Sequence, residues 1–208
     1  MQPFTTLTGI VAIFMRDDVN TDQISPGVGS HSLEPNYADQ LFRNWRIKSD
    51  GTEDPEFALN RSGFRDAKIL ICGDNFGCGS SRETAVWAMI DYGIRCIVAR
   101  SFADIYRENC LKNGLLPIVL PAGDMHRLEH IAQEIDVESE FTVDLTIKNI
   151  ACPDGTSISF DIDDAERNAL IEGLDDIGLT EKYDSEISSW ERKVKDKYPW
   201  LQELIETN

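Results

Sequence analysis

Over the first 121 residues, short apolar, β-branched runs take turns with amphipathic stretches, the order expected of a sheet with helices packed on it. Residues 9–14 (GIVAIF), 67–72 (AKILIC), 94–99 (IRCIVA) and 115–120 (LLPIVL) read as four strands, the last bounded by Pro121. Between the second and third, a helix beginning near Ser80 and running to Tyr92 places Ala85, Val86, Met89 and Ile90 on one face. It stops at Gly93, as a left-handed cap requires. Ser101 is expected to cap a helix that runs through Lys112 and closes at Gly114. Beyond Pro121 the pattern changes. Residues 141–150 and 157–162 read as hairpin strands around Asp154-Gly155, residues 163–172 as a helix, and residues 185–197, with alternating charges, as a solvated peripheral helix ending at Pro199.

Two polar stretches interrupt this order. Residues 16–36 (RDDVNTDQISPGVGSHSLEPN) predict a long loop followed by a helix over 37–45, and residues 47–65 form a second irregular segment. Loops of that length inside compact domains are usually functional. With no repeat, low-complexity segment or clear linker, a single domain over residues 1–208 with a peripheral C-terminal helical tail is expected.

Composition narrows the function classes. The 41% hydrophobic and 27% charged fractions are those of an ordinary soluble globular chain. No run of 18 uncharged apolar residues occurs, and residues 1–8 carry neither a basic patch nor an apolar signal core, so neither membrane insertion nor secretion is expected. The net charge of −17 repels nucleic acid phosphates and anionic lipid, which excludes those partners from expectation. Five cysteines, odd in number and without a C-x-x-C pair, argue against both a disulfide framework and a self-contained zinc or iron–sulfur site. A reducing cytoplasm fits best.

The most informative stretch is residues 73–85, GDNFGCGSSRETA. Three glycines in seven residues let backbone N–H groups converge on a ligand, and the positive end of the following helix points at the same place, so an anion should sit there. No Lys precedes Ser80, so this is not a Walker A loop, and Arg82 occupies the third glycine position of a dinucleotide fingerprint. Ser80-x-x-Glu83 has the form of a capping box, and Ser80 could be only an N-cap. Alternatively Ser80, when ionised, is a general base and Arg82 a bidentate clamp on a substrate carboxylate. A helix terminus contributes about 0.3–2 kcal/mol, and one pKa unit costs about 1.36 kcal/mol, so the dipole lowers a hydroxyl pKa by roughly one unit. An alkoxide needs more than that: oriented donors, water exclusion and a nearby metal.

The same segment resembles the signature of the small subunits of 3-isopropylmalate dehydratase, equivalent to the swivelling fourth domain of aconitase. Residues 20–24 (NTDQI), 41–46 (LFRNWR), 101–105 (SFADI), 113–117 (NGLLP) and 173–180 (GLDDIGLT) agree in the same order, so the match spans nearly the whole chain. The resemblance implies an α/β fold, a swivelling β/β/α layered domain. It implies a hydro-lyase that moves a hydroxyl between neighbouring carbons of a malate derivative through an alkene, active only with a large subunit. That partner holds a 4Fe–4S cluster; this chain binds no cofactor or metal. The resemblance places the proton-abstracting serine at Ser80 and puts Ser81 and Arg82 on the carboxylate of a small dicarboxylate substrate. Backbone N–H groups from Gly77 through Gly79 to Ser81 are co-donors.

This chain departs from the family twice. Thr84 stands where the family usually has His. After Ile24 the typical isoleucine, proline, lysine, glutamine, phenylalanine, leucine is replaced by residues 25–33 (SPGVGSHSL), in the loop that covers the substrate's variable substituent. Small residues and His31 stand in place of bulk and positive charge, and His31 is counted among the substrate-binding candidates. Another substituted malate, such as dimethylmalate, is therefore an alternative substrate, and a noncatalytic anion-binding assembly subunit an alternative role. Cys78 reads as a small residue between two glycines. His126 and His130, at i, i+4 spacing, read as a solvated helix face, Asp22 as an Asx-turn residue and Arg100 as facing either the cleft or solvent.

Overall fold

A computed structural model describes residues 1–27, 36–79, 82–198 and 200. Seven strands form one sheet in the order β4-β3-β2-β1-β5-β6-β7. Strands β1 (Thr6–Phe14), β2 (Ile69–Cys72), β3 (Cys96–Ala99) and β4 (Leu116–Val119) are parallel neighbours. Strand β5 (Glu140–Asp144) pairs antiparallel with β1, and β6 (Asn149–Ala151) and β7 (Ser157–Ser159) continue as hairpins. The α/β class expected from the pattern is the one observed.

Strands β2 and β3 are buried at every position, which is why they read as continuous apolar runs. Alternation still divides their side chains between two cores. Ala12, Phe14, Leu70, Cys72, Ile97 and Ala99 face one, with α3 (Thr84–Tyr92) and α4 (Asp104–Asn113) packed on it. Val11, Ile69, Ile71, Cys96, Val98, Leu116 and Ile118 face the other, under α5 (Ala122–Glu134) and α6 (Asp164–Glu172). Gly93 (φ +111°) and Gly114 (φ +80°) end α3 and α4 in the left-handed conformation, as expected.

Several boundaries differ from the sequence pattern. Residues 16–36 contain a one-turn helix, α1 (Thr21–Ile24), closed by a capping box between Asn20 and Gln23. The helix expected over 37–45 is broken. A 3₁₀ turn (Ala38–Gln40) is followed by Phe42 at φ +48° and the single turn α2 (Arg43–Arg46), because Leu41 and Phe42 turn inward to be fully buried. Helix α3 begins at Thr84 with Glu83 at its N-cap, so the Ser80–Glu83 capping box is not what starts it. Ala103, not Ser101, occupies the N-cap of α4. The run 141–150 is two strands, β5 and β6, joined by a turn with Lys148 at φ +54°, and the Asp154-Gly155 turn joins β6 to β7.

The chain divides into two compact units, residues 1–173 and 174–208. The second contains α7 (Asp176–Glu181) and α8 (Asp184–Lys197), neither with a buried residue. Pro199 lies outside the described residues. Among the described residues no helix is long and apolar enough to cross a membrane.

Candidate active site

Parallel strands end together, so the loops after β1, β2 and β3 emerge side by side at the carboxyl edge of the sheet, the usual place for ligands in parallel α/β sheets. The glycine segment after β2 is the middle one, and backbone hydrogen bonds zip it to both neighbours. Toward the β1 loop, the Gly77 N–H donates to Val19 O (2.8 Å) and the Thr21 N–H to Cys78 O (2.9 Å). Toward the β3 loop, the Phe76 N–H donates to Ser101 O (3.1 Å) and the Ala103 N–H to Phe76 O (3.0 Å).

Glycine is required at two of these positions for different reasons. Gly77 sits at φ +80°, and a Cβ there would lie 2.1 Å from Cγ of Tyr106. Tyr106 is 1% exposed and packs edge-on against Phe76, with ring centroids 5.7 Å apart, so the loop rests on an aromatic floor. Burial pushes the Tyr106 hydroxyl well above its ordinary pKa, so it stays protonated. At Gly73, a Cβ would meet Arg16 O at 2.4 Å and Asp17 Oδ1 at 2.3 Å, so the missing side chain lets the β1 loop close over the start of the segment.

That start carries a polar network. Asp17 Oδ1 accepts from the Asp74 N–H (2.7 Å) and from Arg100 Nη2 (3.0 Å). Both hold the Asp17 carboxyl below the usual range, the Asp74 N–H more than the guanidinium. The Ser101 hydroxyl donates to the Asp74 carboxylate and accepts from the Asn75 N–H (2.8 Å). Asn75 Nδ2 donates to Asp18 Oδ1 (2.8 Å), and the Asp18 N–H to Asp74 O (2.9 Å). Ser101 thus ties two loops together instead of capping a helix, and Arg100 faces the site. The first of the two alternatives for Arg100 is thus the one seen, whereas the Ser101 tie was not readable from spacing, since it depends on a residue that only the sheet brings close.

Of the residues singled out by motif, Ser80, Ser81 and His31 lie outside the described residues. Gly77, Gly79 and Arg82 are placed. The Gly77 N–H, expected as an anion donor, is engaged by Val19 O. Gly79 (φ +96°) leaves its Cβ direction 3.5 Å from Cβ of Asn20. Arg82 forms an ion pair with Asp22 on α1, both side chains more than half exposed. Asn20, not Asp22, caps α1, so Asp22 serves the guanidinium instead of the turn. Gly27 (φ +64°) adjoins the same guanidinium, since a Cβ there would lie 3.2 Å from Arg82 Nη1. The segment 77–79, α1 and Arg82 therefore converge, with residues anchored on both sides of position 80.

Among the described residues no three of His, Cys, Asp and Glu are grouped to hold a metal ion. Cys72, Cys96, Cys110 and Cys152 are buried and Cys78 is half-buried, all free. His126 and His130 are exposed on α5, as the solvated-face reading expects.

Residues 1–123 match the aconitase C-terminal domain family. A 3-isopropylmalate dehydratase small subunit from Brucella anthropi is 46% identical over 201 residues, covering 96% of this chain and 100% of that protein. The protein of the same name from Brucella canis is 45% identical over the same shares of the two chains. Among solved structures, a 3-isopropylmalate dehydratase from Methanocaldococcus jannaschii aligns with a TM-score of 0.63 at 25% identity. The alignment covers 88% of this chain and 98% of that one.

Proposed function

The chain belongs to the aconitase C-terminal domain family, with 3-isopropylmalate dehydratase small subunits among its relatives, and on that premise we propose that it is the small subunit of a heteromeric hydro-lyase. The complex interconverts 3-isopropylmalate and 2-isopropylmalate by dehydration and rehydration, a step of leucine biosynthesis, and acts in the cytoplasm. Arg82 is the observation that carries this reading. An exposed guanidinium stands directly beyond the glycine segment and already engages a carboxylate, that of Asp22. A substrate carboxylate takes the same fork by two parallel N–H···O bonds.

In this mechanism Ser80 takes the proton from the substrate carbon, the hydroxyl departs from the neighbouring carbon, and an alkene forms between them. Water then adds with the two positions exchanged, and Ser80 returns the proton. Ser81, Gly79 and Arg82 hold the carboxylate so that the carbon-bound proton faces Ser80. The aromatic floor under Gly77 and the two backbone zippers fix the segment in advance, so little ordering remains when substrate binds. A 4Fe–4S cluster on the large subunit supplies Lewis acidity at the departing hydroxyl. This chain's described residues do not fit such a cluster, and none is assigned to it. The test is co-expression with the large subunit encoded in the same genome, anaerobic cluster reconstitution, and alkene absorbance with 3-isopropylmalate. Turnover supports the reading. An assembled complex with an intact cluster and no turnover of any substituted malate refutes it.

Gly27 favours a second reading of substrate choice. It occupies the place where the family's usual loop has lysine, and it adjoins Arg82. Losing a cation beside the carboxylate clamp changes how the substrate's variable end is held, so dimethylmalate and methyl-substituted malates belong in the same assay. Strong preference for 3-isopropylmalate over all of them removes this reading.

A further inference from the structure

We propose that Arg100 is a positioning residue for the glycine segment, acting as the shared cation that lets Asp17 and Asp74 lie side by side; this deepens the reading of the same site given above and rests on it. The Arg100 guanidinium serves two carboxylates from different loops: Nη2 lies 3.0 Å from Asp17 Oδ1 and 3.6 Å from Asp74 Oδ2. Those carboxylates are forced together, because the Asp74 N–H donates to Asp17 Oδ1 at 2.7 Å and Gly73 leaves no side chain to hold Asp17 away. Without the guanidinium, two like charges face each other at the entrance of the segment. The entrance of the segment hangs on this network, through the Asp74 N–H on Asp17 and the Asn75 N–H on the Ser101 hydroxyl, ahead of the part that rests on Tyr106. The segment's exit leads in sequence to the proposed serine and to Arg82, so a displacement at the entrance is passed along the chain to both.

The surroundings of Arg100 argue for this task over substrate binding. The side chain borders a cleft of about 920 Å³ whose other charged groups are Asp74, Asp124 and Asp161, a poor seat for a dicarboxylate. The three interacting side chains, Asp17, Asp74 and Arg100, are 58%, 48% and 38% exposed, so their removal should shift the local loop more than global stability.

The variants are Arg100→Gln, Arg100→Lys, Asp17→Asn and the double Arg100→Gln/Asp17→Asn, each assembled with the large subunit. Asn at 17 still accepts from the Asp74 N–H but carries no charge. Arg100→Gln should lower kcat by about 10²-fold, the effect of a small misplacement of the reacting group, with KM changed less than about threefold. The double variant should regain about tenfold or more of that loss, and Arg100→Lys, a point charge without the fork, should fall between wild type and Arg100→Gln. A second readout needs no activity: Cys78 lies in the segment and is the one cysteine that is not buried, so its labelling by a maleimide reports loop opening in the full chain alone. Labelling should be about tenfold faster in Arg100→Gln and slower again in the double variant. Wild-type kcat in Arg100→Gln, a double variant no better than the single, or unchanged Cys78 labelling overturns the proposal. If the wild-type complex turns over no substituted malate, the functional reading fails, and Cys78 labelling alone then decides whether Arg100 holds the loop.

Discussion

Replacing Gly77 by alanine tests the packing beneath the glycine segment with a built-in control. At Gly77 the backbone has φ +80°, and an added Cβ would fall 2.1, 2.3 and 2.6 Å from Cγ, Cδ1 and Cβ of Tyr106. That ring is held by α4, is 1% exposed and lies against Phe76, so it has no room to withdraw. The left-handed backbone costs a non-glycine residue about 1–2 kcal/mol, and overpacking a filled core adds about 1–3 kcal/mol. Gly51 supplies the comparison: φ is +86°, and nothing lies within 4 Å of its Cβ direction. Gly51→Ala therefore carries only the backbone term, and the two variants should differ by about 1–3 kcal/mol. For a chain of this size each kcal/mol moves Tm by about 2–4 °C. Urea unfolding of the full chain, followed by far-ultraviolet circular dichroism, measures both at matched m-values. A Gly77→Ala variant within about 0.5 kcal/mol of Gly51→Ala would show that Tyr106 yields and that the floor does not fix the loop.

Arg82→Lys keeps the charge and loses the fork, so kcat/KM of the assembled enzyme should fall by about 10²-fold, and an unchanged value would separate Arg82 from the substrate. Asn20→Ala removes the 2.8 Å bond from the Gln23 N–H and should lower stability by about 0.5–2 kcal/mol in urea unfolding; no loss would mean the capping box does not hold α1. Thiol labelling of the native chain should find Cys78 alone reactive near pH 8. Burial pushes the Cys152 thiol up to about 11 and raises those of Cys72, Cys96 and Cys110 as well, so Cys152 joins only as pH approaches 11. The same shifts set a stability window. The unfolded chain ionises these thiols above about pH 8.5 while the fold keeps them protonated, so stability is full below that pH and falls as pH rises through the folded values. Flat stability from pH 8 to 10.5 would contradict the burial of these groups.

The parallel strands were legible because burial on both faces leaves unbroken apolar runs, and the glycine caps of α3 and α4 because only glycine takes those backbone angles cheaply. Misread elements share a physical cause. Leu41 and Phe42 follow a helical pattern, yet the space beneath them draws both into the core and breaks the helix in two. Ser101 has the composition of a cap, but a carboxylate 27 residues earlier in the chain competes for its hydroxyl and wins. At the site, the glycine segment and Arg82 announce themselves by composition. Asp17 and Arg100 do not, since their meaning lies in a charge balance across three loops that no local window contains.

Ser80→Ala in the anaerobically reconstituted complex tests most directly whether this chain carries the proton transfer. Helix α3 is capped at Glu83, so losing the Ser80 hydroxyl should leave assembly, the cluster's electron paramagnetic resonance signal and Tm intact. The account predicts a fall in turnover of about 10²–10⁴-fold under those conditions. Turnover close to wild type in a fully assembled complex would contradict it and leave this chain an anion-binding assembly subunit.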